Sequence, residues 1–540
     1  MKNKARAAVL GGGDAALSGI VKIPRALGIF FVLILSSCGI TPSASNPAPI
    51  VLVTANPNAL PTPTPFQPIP ATAAPLESPT LISTFTPLPP SDTPLPTFEF
   101  TVTPLVSPTT PPQTSRTQYT MFALLDYSGH QLAVDETIKY TNQTGVTLNE
   151  LVLAVEPNLR SGFTLENILL DGNQLNYDLT GQSLTVHLPQ PLSPNAQLTL
   201  AMRFRLAIPS KQRDHPYGYV SYQANLTDWY PFIVPYSNGW ILHDPWSLGE
   251  HLVYDASDFE VNIKTTGTGV TIAASGLEEP ASSGSAGEWT RYRLSGARTF
   301  AFSASDIFSV KESAVGSVVI RSYYFEGYEG AGQGMLNASV KAVGLFKDLF
   351  APYPYASLSV VQSDLNDGQE YDGLVFLATK FYDEYGGSER SNMVSIGVHE
   401  IAHQWWFGLV GSDQAMEPWL DEAMAVYSEN IYYEYSHANY GDWWWNFRVN
   451  YFGPSGWVDT TIYEGGTFRT YVNAAYLNGA NFLDELRWRM GMDDFLRFLK
   501  DYASRYGRGH ATASDFFAVA QQNTTADISD LINAYFKGSY

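Results

Sequence analysis

Apolar and polar residues alternate in short runs from about residue 118 to residue 308, and then the alternation stops. Gln131-Leu-Ala-Val-Asp-Glu-Thr-Ile-Lys-Tyr140, Ser183-Leu-Thr-Val-His-Leu188, Gln197-Leu-Thr-Leu-Ala-Met-Arg-Phe-Arg-Leu206 and Phe259-Glu-Val-Asn-Ile-Lys264 put apolar side chains at nearly every second position. Successive side chains of a strand point to opposite faces, so such runs predict half-buried antiparallel strands. Their spacing predicts an antiparallel β-sandwich-like domain over residues 118–310. Beyond that the period lengthens, with helices expected at 336–350, 393–409, 420–435, 478–489 and 494–506, and residues 311–540 read as a second, α-rich domain. The fold class is multidomain α+β.

The segment before these domains follows different rules. Residues 39–116 are dominated by Pro, Thr and Ser, as in Leu60-Pro-Thr-Pro-Thr-Pro65, with very few charges. Repeated Pro blocks helices and ladders, so residues 38–117 are expected to form a semi-rigid tether with a reach of roughly 200 Å at about 3.1 Å per residue. Upstream, Lys22 and Arg25 precede the apolar run Gly28-Ile-Phe-Phe-Val-Leu-Ile-Leu-Ser-Ser-Cys38, which is too short to span a bilayer of about 30 Å as a helix. It reads as a secretion signal over residues 1–37. Cys38 is the single cysteine, so no disulfide can form within one chain. The 31 Lys and Arg against 52 Asp and Glu give a formal charge of −21, which disfavours nucleic acid and anionic lipid as partners.

His399-Glu-Ile-Ala-His403 places two imidazoles at i and i+4, neighbours on one helical face, where both can reach a single ion. Glu400, next to the first of them, is positioned to take a proton from metal-bound water. Trp419-Leu-Asp-Glu-Ala-Met-Ala-Val-Tyr427 opens a second helix that carries Glu422, which follows His403 with eighteen residues between them. Two His and one carboxylate complete the three-ligand shell of a catalytic zinc, leaving its fourth position for water. One Zn²⁺ per chain is therefore expected.

Taken together, His399-Glu-Ile-Ala-His-Gln-Trp-Trp-Phe-Gly408 and Trp419-Leu-Asp-Glu-Ala423 resemble the paired signatures of the M1 family of gluzincin aminopeptidases. The resemblance covers roughly residues 118–540, and implies a thermolysin-like catalytic domain over 311–540. Asp367-Gly-Gln-Glu-Tyr-Asp-Gly-Leu374 sits where that family carries its Gly-x-Met-Glu-Asn motif, which implies that Glu370 holds the substrate's α-ammonium with Gly368 and Gln369 beside it. Here Gln369-Glu370-Tyr371 replaces the Met-Glu-Asn core and alters the pocket wall. Tyr471-Val-Asn-Ala-Ala-Tyr-Leu-Asn-Gly-Ala480 resembles the stretch whose Tyr stabilises the oxyanion, a role that falls to Tyr476, with Tyr471 as a second candidate for the same pocket. Leu35-Ser36-Ser37-Cys38 resembles the lipobox of bacterial lipoproteins, in which the cysteine carries a lipid anchor. Trp443-Trp-Trp445 is expected to pack beneath a helix.

The resemblance implies a zinc aminopeptidase that acts on peptides with a free N-terminus, anchored through Cys38 on the outer face of a bacterial cell membrane. No oligomer is implied. The long helical C-terminal domain of larger members is not expected after Leu531-Ile-Asn-Ala-Tyr-Phe536, which would leave a more open cleft. Two rivals follow: a zinc endopeptidase that uses such a cleft, and a catalytically silent surface module.

Overall fold

A computed structural model describes residues 115–211, 215–267, 269–279, 289–436 and 439–540. The signal segment, Cys38 and all but the last residues of the tether lie outside them. The alternating runs are strands, and they bury the faces that the alternation selects. In Gln131–Thr141 the residues at even positions are buried and most of the others are exposed. This strand is central in an eight-stranded sheet ordered Leu277–Glu279, Thr290–Ala297, Ser257–Thr266, Gln118–Asp126, Gln131–Thr141, Gln197–Ala207, Phe163–Leu170, Asn173–Gln174. One pairing departs from the antiparallel expectation, since Gln118–Asp126 and Ser257–Thr266 run parallel. Two strands so far apart in sequence are not joined by a hairpin, so their direction is not fixed by a tight turn. Two four-stranded sheets complete this half of the molecule.

The second half opens with a five-stranded sheet ordered Phe308–Val315, Val318–Phe325, Ser357–Ser363, Leu374–Ala378, Gly368–Tyr371. Its first strand crosses the boundary expected at residue 310. Its middle three strands are parallel, and Gly368–Tyr371 forms an antiparallel edge. Buried amides tie the halves together: Gln223 donates to the Gln362 carbonyl at 3.0 Å and Asn225 to Ser363 Oγ at 2.8 Å. The helices that follow are Glu329–Leu349, Asn392–Ala402, Trp419–Ser436, Gly479–Met490, Met492–Tyr506 and shorter ones. Among the described residues, no helix is long and apolar enough to cross a membrane.

The helix expected over 393–409 ends at Ala402, earlier than its apolar pattern. Beyond His403 the chain winds wider, with Gly408 N–H reaching the His403 carbonyl and Val410 N–H reaching that of Trp405, and Phe407 takes a φ of 151°. Trp405 and Trp406 remain buried but pack on Phe346 and Phe350, so apolarity here signals a core contact and not a helical face.

Candidate active site

Ser391 caps helix Asn392–Ala402 by accepting from Val394 N–H, and the helix is buried along its whole length. His399, Glu400 and His403 occupy its C-terminal end. Helix Trp419–Ser436 starts directly after Pro418 and presents Glu422 from its first turn. His399 Nε2 lies 3.1 Å from His403 Nε2 and 3.2 Å from Glu422 Oε2, and His403 Nε2 lies 3.5 Å from that same oxygen. Bonds of about 2.0–2.1 Å to a tetrahedral zinc place its ligands about 3.3–3.4 Å apart, so this triangle of two imidazoles and a carboxylate fits the ion.

The other imidazole nitrogens are engaged elsewhere, which turns both Nε2 atoms toward the shared point. His399 Nδ1 donates to Glu429 Oε1 at 3.1 Å, and His403 Nδ1 to the Trp406 carbonyl at 3.1 Å. Glu429 is fully buried and is also held by Ser395 Oγ at 2.5 Å, Trp444 Nε1 at 3.0 Å and Arg448 through Nε and Nη2. Burial alone would raise its pKa, but the Arg448 charge and the donated hydrogen bonds outweigh burial and hold it at about 2. Burial likewise pushes His399 down, while its hydrogen bonds to Glu422 and Glu429 pull it up to about 9.

The turn after His403 is gripped from the other half of the molecule. Arg298, which is buried, donates through Nε to the Phe407 carbonyl at 2.7 Å, through Nη1 to that of Tyr254 at 2.8 Å, and through Nη2 to that of Gly509. A Cβ at Gly411 would fall on the guanidinium, so a larger residue there would push Arg298 off these carbonyls. A positive φ strains a bulky residue such as Phe407, and such strain persists only where surrounding contacts fix it.

Glu400 is buried, and burial pushes its carboxyl well above the usual range. Its neighbour is the edge strand Gly368–Tyr371: a Cβ at Gly368 would land on Glu400 Oε1, so a larger residue there would displace the carboxyl. One ligand atom each from Glu370, Glu400 and His403 falls within 4.8 Å of the others. Glu370 is buried and its pKa is raised, chiefly by burial. Tyr476 sits in a wide π-helical turn, Val472–Asn478, and donates to Glu422 Oε1 at 2.5 Å. Its ring centroid is 6.5 Å from that of His399. Tyr471 is buried, hydrogen-bonded to Tyr476, and packed against Gly249. The structure thus brings together His399, Glu400, His403, Glu422, Gly368, Gln369, Glu370, Tyr471 and Tyr476, whereas Cys38 lies outside the described residues.

Several residues of this site carried no assignment from sequence. Glu429 had a readable signal, because it falls seven residues after Glu422, two helical turns along the same face. Arg448 and Trp444 complete its shell, and the Trp443-Trp-Trp445 stretch proves to be partly packing, as expected, and partly a donor. Glu250, whose carboxylate accepts from the side-chain amides of Gln369 and Gln414, comes from an irregular segment of the β-rich half, more than a hundred residues upstream, with no periodicity to mark it.

A buried His-Glu-x-x-His pair with a carboxylate from the next helix is a set of donors that could hold a zinc ion. Residues 335–535 match the Peptidase family M1 domain. Aminopeptidase M1-B of Oryza sativa subsp. japonica is 26% identical over 243 residues, covering 42% of this chain and 28% of the relative. Aminopeptidase N of Canis lupus familiaris is 30% identical over 159 residues, covering 27% of this chain and 16% of the relative. The chain therefore spans under a third of the length of these curated relatives. The crystal structure of the M1 zinc metallopeptidase of Deinococcus radiodurans matches with a TM-score of 0.58 at 18% identity, covering 79% of this chain and 94% of that one, a likeness in fold. A mutant form of that metallopeptidase bound to a Tyr-Ser-Ala substrate matches with a TM-score of 0.59.

Proposed function

We propose that this protein is a zinc aminopeptidase that removes N-terminal residues from peptides. One observation carries the reading: the His399, His403 and Glu422 donors form a zinc-sized triangle with Glu400 beside it and Glu370 buried within reach of both. His399, His403 and Glu422 would hold the ion, which when bound acidifies water and polarises a carbonyl. Glu400 takes the proton of the attacking water and returns it to the leaving amine, a task that suits a carboxyl whose pKa is lifted by burial. Tyr476, kept protonated by burial and by Glu422, donates toward charge that develops on the carbonyl oxygen. Glu370 pairs with the α-ammonium, which restricts cleavage to the first peptide bond. Under this reading Tyr471 supports Tyr476.

Substituting Glu400→Gln should leave zinc bound and reduce turnover of aminoacyl reporters by several orders of magnitude; a purified, active Glu400→Gln protein would overturn the mechanism. Equal cleavage of free and N-blocked peptides by the unaltered protein would instead favour an endopeptidase. The sequence motif at Cys38 supports a lipid-anchored protein on the outer face of the cell membrane, its catalytic half carried on the residue 38–117 tether. Cys38→Ser should move the protein from the membrane fraction to the soluble one.

A further inference from the structure

Glu370 does not stand alone in its pocket. The Nε2 amide of Gln369 donates to Glu250 Oε1 and, at 3.1 Å, to Glu370 Oε2. The Nε2 amide of Gln414 donates in the same manner to Glu250 Oε2 at 2.5 Å and to Asp421 Oδ2 at 3.0 Å. An amide nitrogen has two hydrogens, so each glutamine spends both on two different carboxylates. The result is a continuous chain, Glu370–Gln369–Glu250–Gln414–Asp421, whose middle member comes from the other half of the molecule. Two buried oxygens within it, Glu370 Oε1 and Asp421 Oδ1, have no hydrogen-bond partner among the described residues. They lie 4.0 Å and 3.8 Å from one atom, His403 Nδ1.

Side-by-side carboxylates repel and would rotate apart if untied, and each costs free energy when buried without a counter-charge. Donation from a shared amide holds them together, offsets part of their charge, and leaves an acceptor open. Glu250 also hydrogen-bonds Glu370 directly, and the Gln369 amide adds a second link, which the Met that the resembling family motif has at this position could not supply.

We propose that Gln369 is a positioning residue for N-terminus recognition: it ties Glu250 to Glu370, so that two halves of the molecule present one fixed anionic cradle to a primary ammonium group. This rests on the aminopeptidase reading. The cradle selects for charge at the first nitrogen and does not touch the bond being cleaved. Losing the tie therefore weakens binding of free-amine substrates more than it slows their conversion.

The test is a double-mutant cycle of Gln369→Met and Glu250→Gln, with zinc content and melting temperature measured for each protein. Gln369→Met should raise KM for an aminoacyl reporter about tenfold, with kcat changed far less. It should also weaken inhibition by an amino-acid amide to a similar degree, and leave inhibition by the N-acetylated amide unchanged. Glu250→Gln should add little in the Gln369→Met background, because the two act as a unit. Unchanged KM and amide inhibition in Gln369→Met, or fully additive effects in the cycle, would overturn the proposal. Equal inhibition of the unaltered protein by the free and acetylated amides would instead overturn the aminopeptidase reading on which it rests.

Discussion

Two fully buried glutamates, one in each half of the molecule, meet opposite fates. Glu429, beneath the candidate zinc site, is held by Ser395, His399, Trp444 and Arg448, and its carboxyl sits at about 2. Glu136 lies on the inward face of strand Gln131–Thr141, opposite Met121 on one neighbour and Met202 on the other. Neither of its oxygens has a hydrogen-bond partner among the described residues, and burial pushes its carboxyl well above the usual range. Burial is common to both, so it does not decide the charge. Donors do: four side chains keep Glu429 ionised, whereas two thioether neighbours leave Glu136 to carry a proton.

The sharpest way to break this comparison is Glu429→Ala. It strands the Arg448 guanidinium in the core and should cost about 3–5 kcal/mol of stability, read from denaturant unfolding. Glu429→Gln keeps the shape and should chiefly lower zinc affinity, by about 10–100-fold in a chelator competition, because His399 loses its orienting carboxylate. If Glu429→Gln bound zinc as tightly as the unaltered protein, Glu429 would be a core residue and nothing more.

Glu136→Leu should have the opposite sign, stabilising the protein by about 1–3 kcal/mol at neutral pH, since it replaces an unpartnered polar group with an apolar one. The gain should depend on pH. A carboxyl whose folded pKa is raised contributes most stability below its unfolded value of about 4.5, and that contribution is lost as pH rises toward the folded pKa. Denaturant midpoints of the two proteins should therefore lie closest near pH 4.5 and separate on going to pH 7; a constant gap would mean that Glu136 does not titrate between them. The smallest effect is expected for Trp444→Phe. It removes one of several donors to Glu429, and about 1 kcal/mol lost would show that the shell carries redundancy.

Much of this arrangement could be read from local pattern. The i, i+4 spacing of His399 and His403 and the position of Glu422 at a helix start are properties of short segments, and they held. So did the strands, because alternation reports directly on which face is buried. The same alternation places Glu136 among Leu132, Val134 and Ile138 on the apolar face, a conflict that is visible before any fold is known. The early end of the His399 helix was hidden, because Trp405, Trp406 and Phe407 keep an apolar character while changing partners. Glu250, Gln414 and Arg298 were hidden for another reason. Each acts across the chain, through contacts that no window of sequence contains.

Arg298 carries a consequence for how such proteins can change. Its three bonds gather carbonyls from the segments around Tyr254, Phe407 and Gly509, so one side chain of the β-rich half finishes the turn whose carbonyl orients His403. A catalytic half transplanted onto a foreign β-rich partner would keep every ligand and the base, yet release that turn. In this chain the two halves are a matched set at that turn, joined by Arg298 and by the Gly411 that makes room for it.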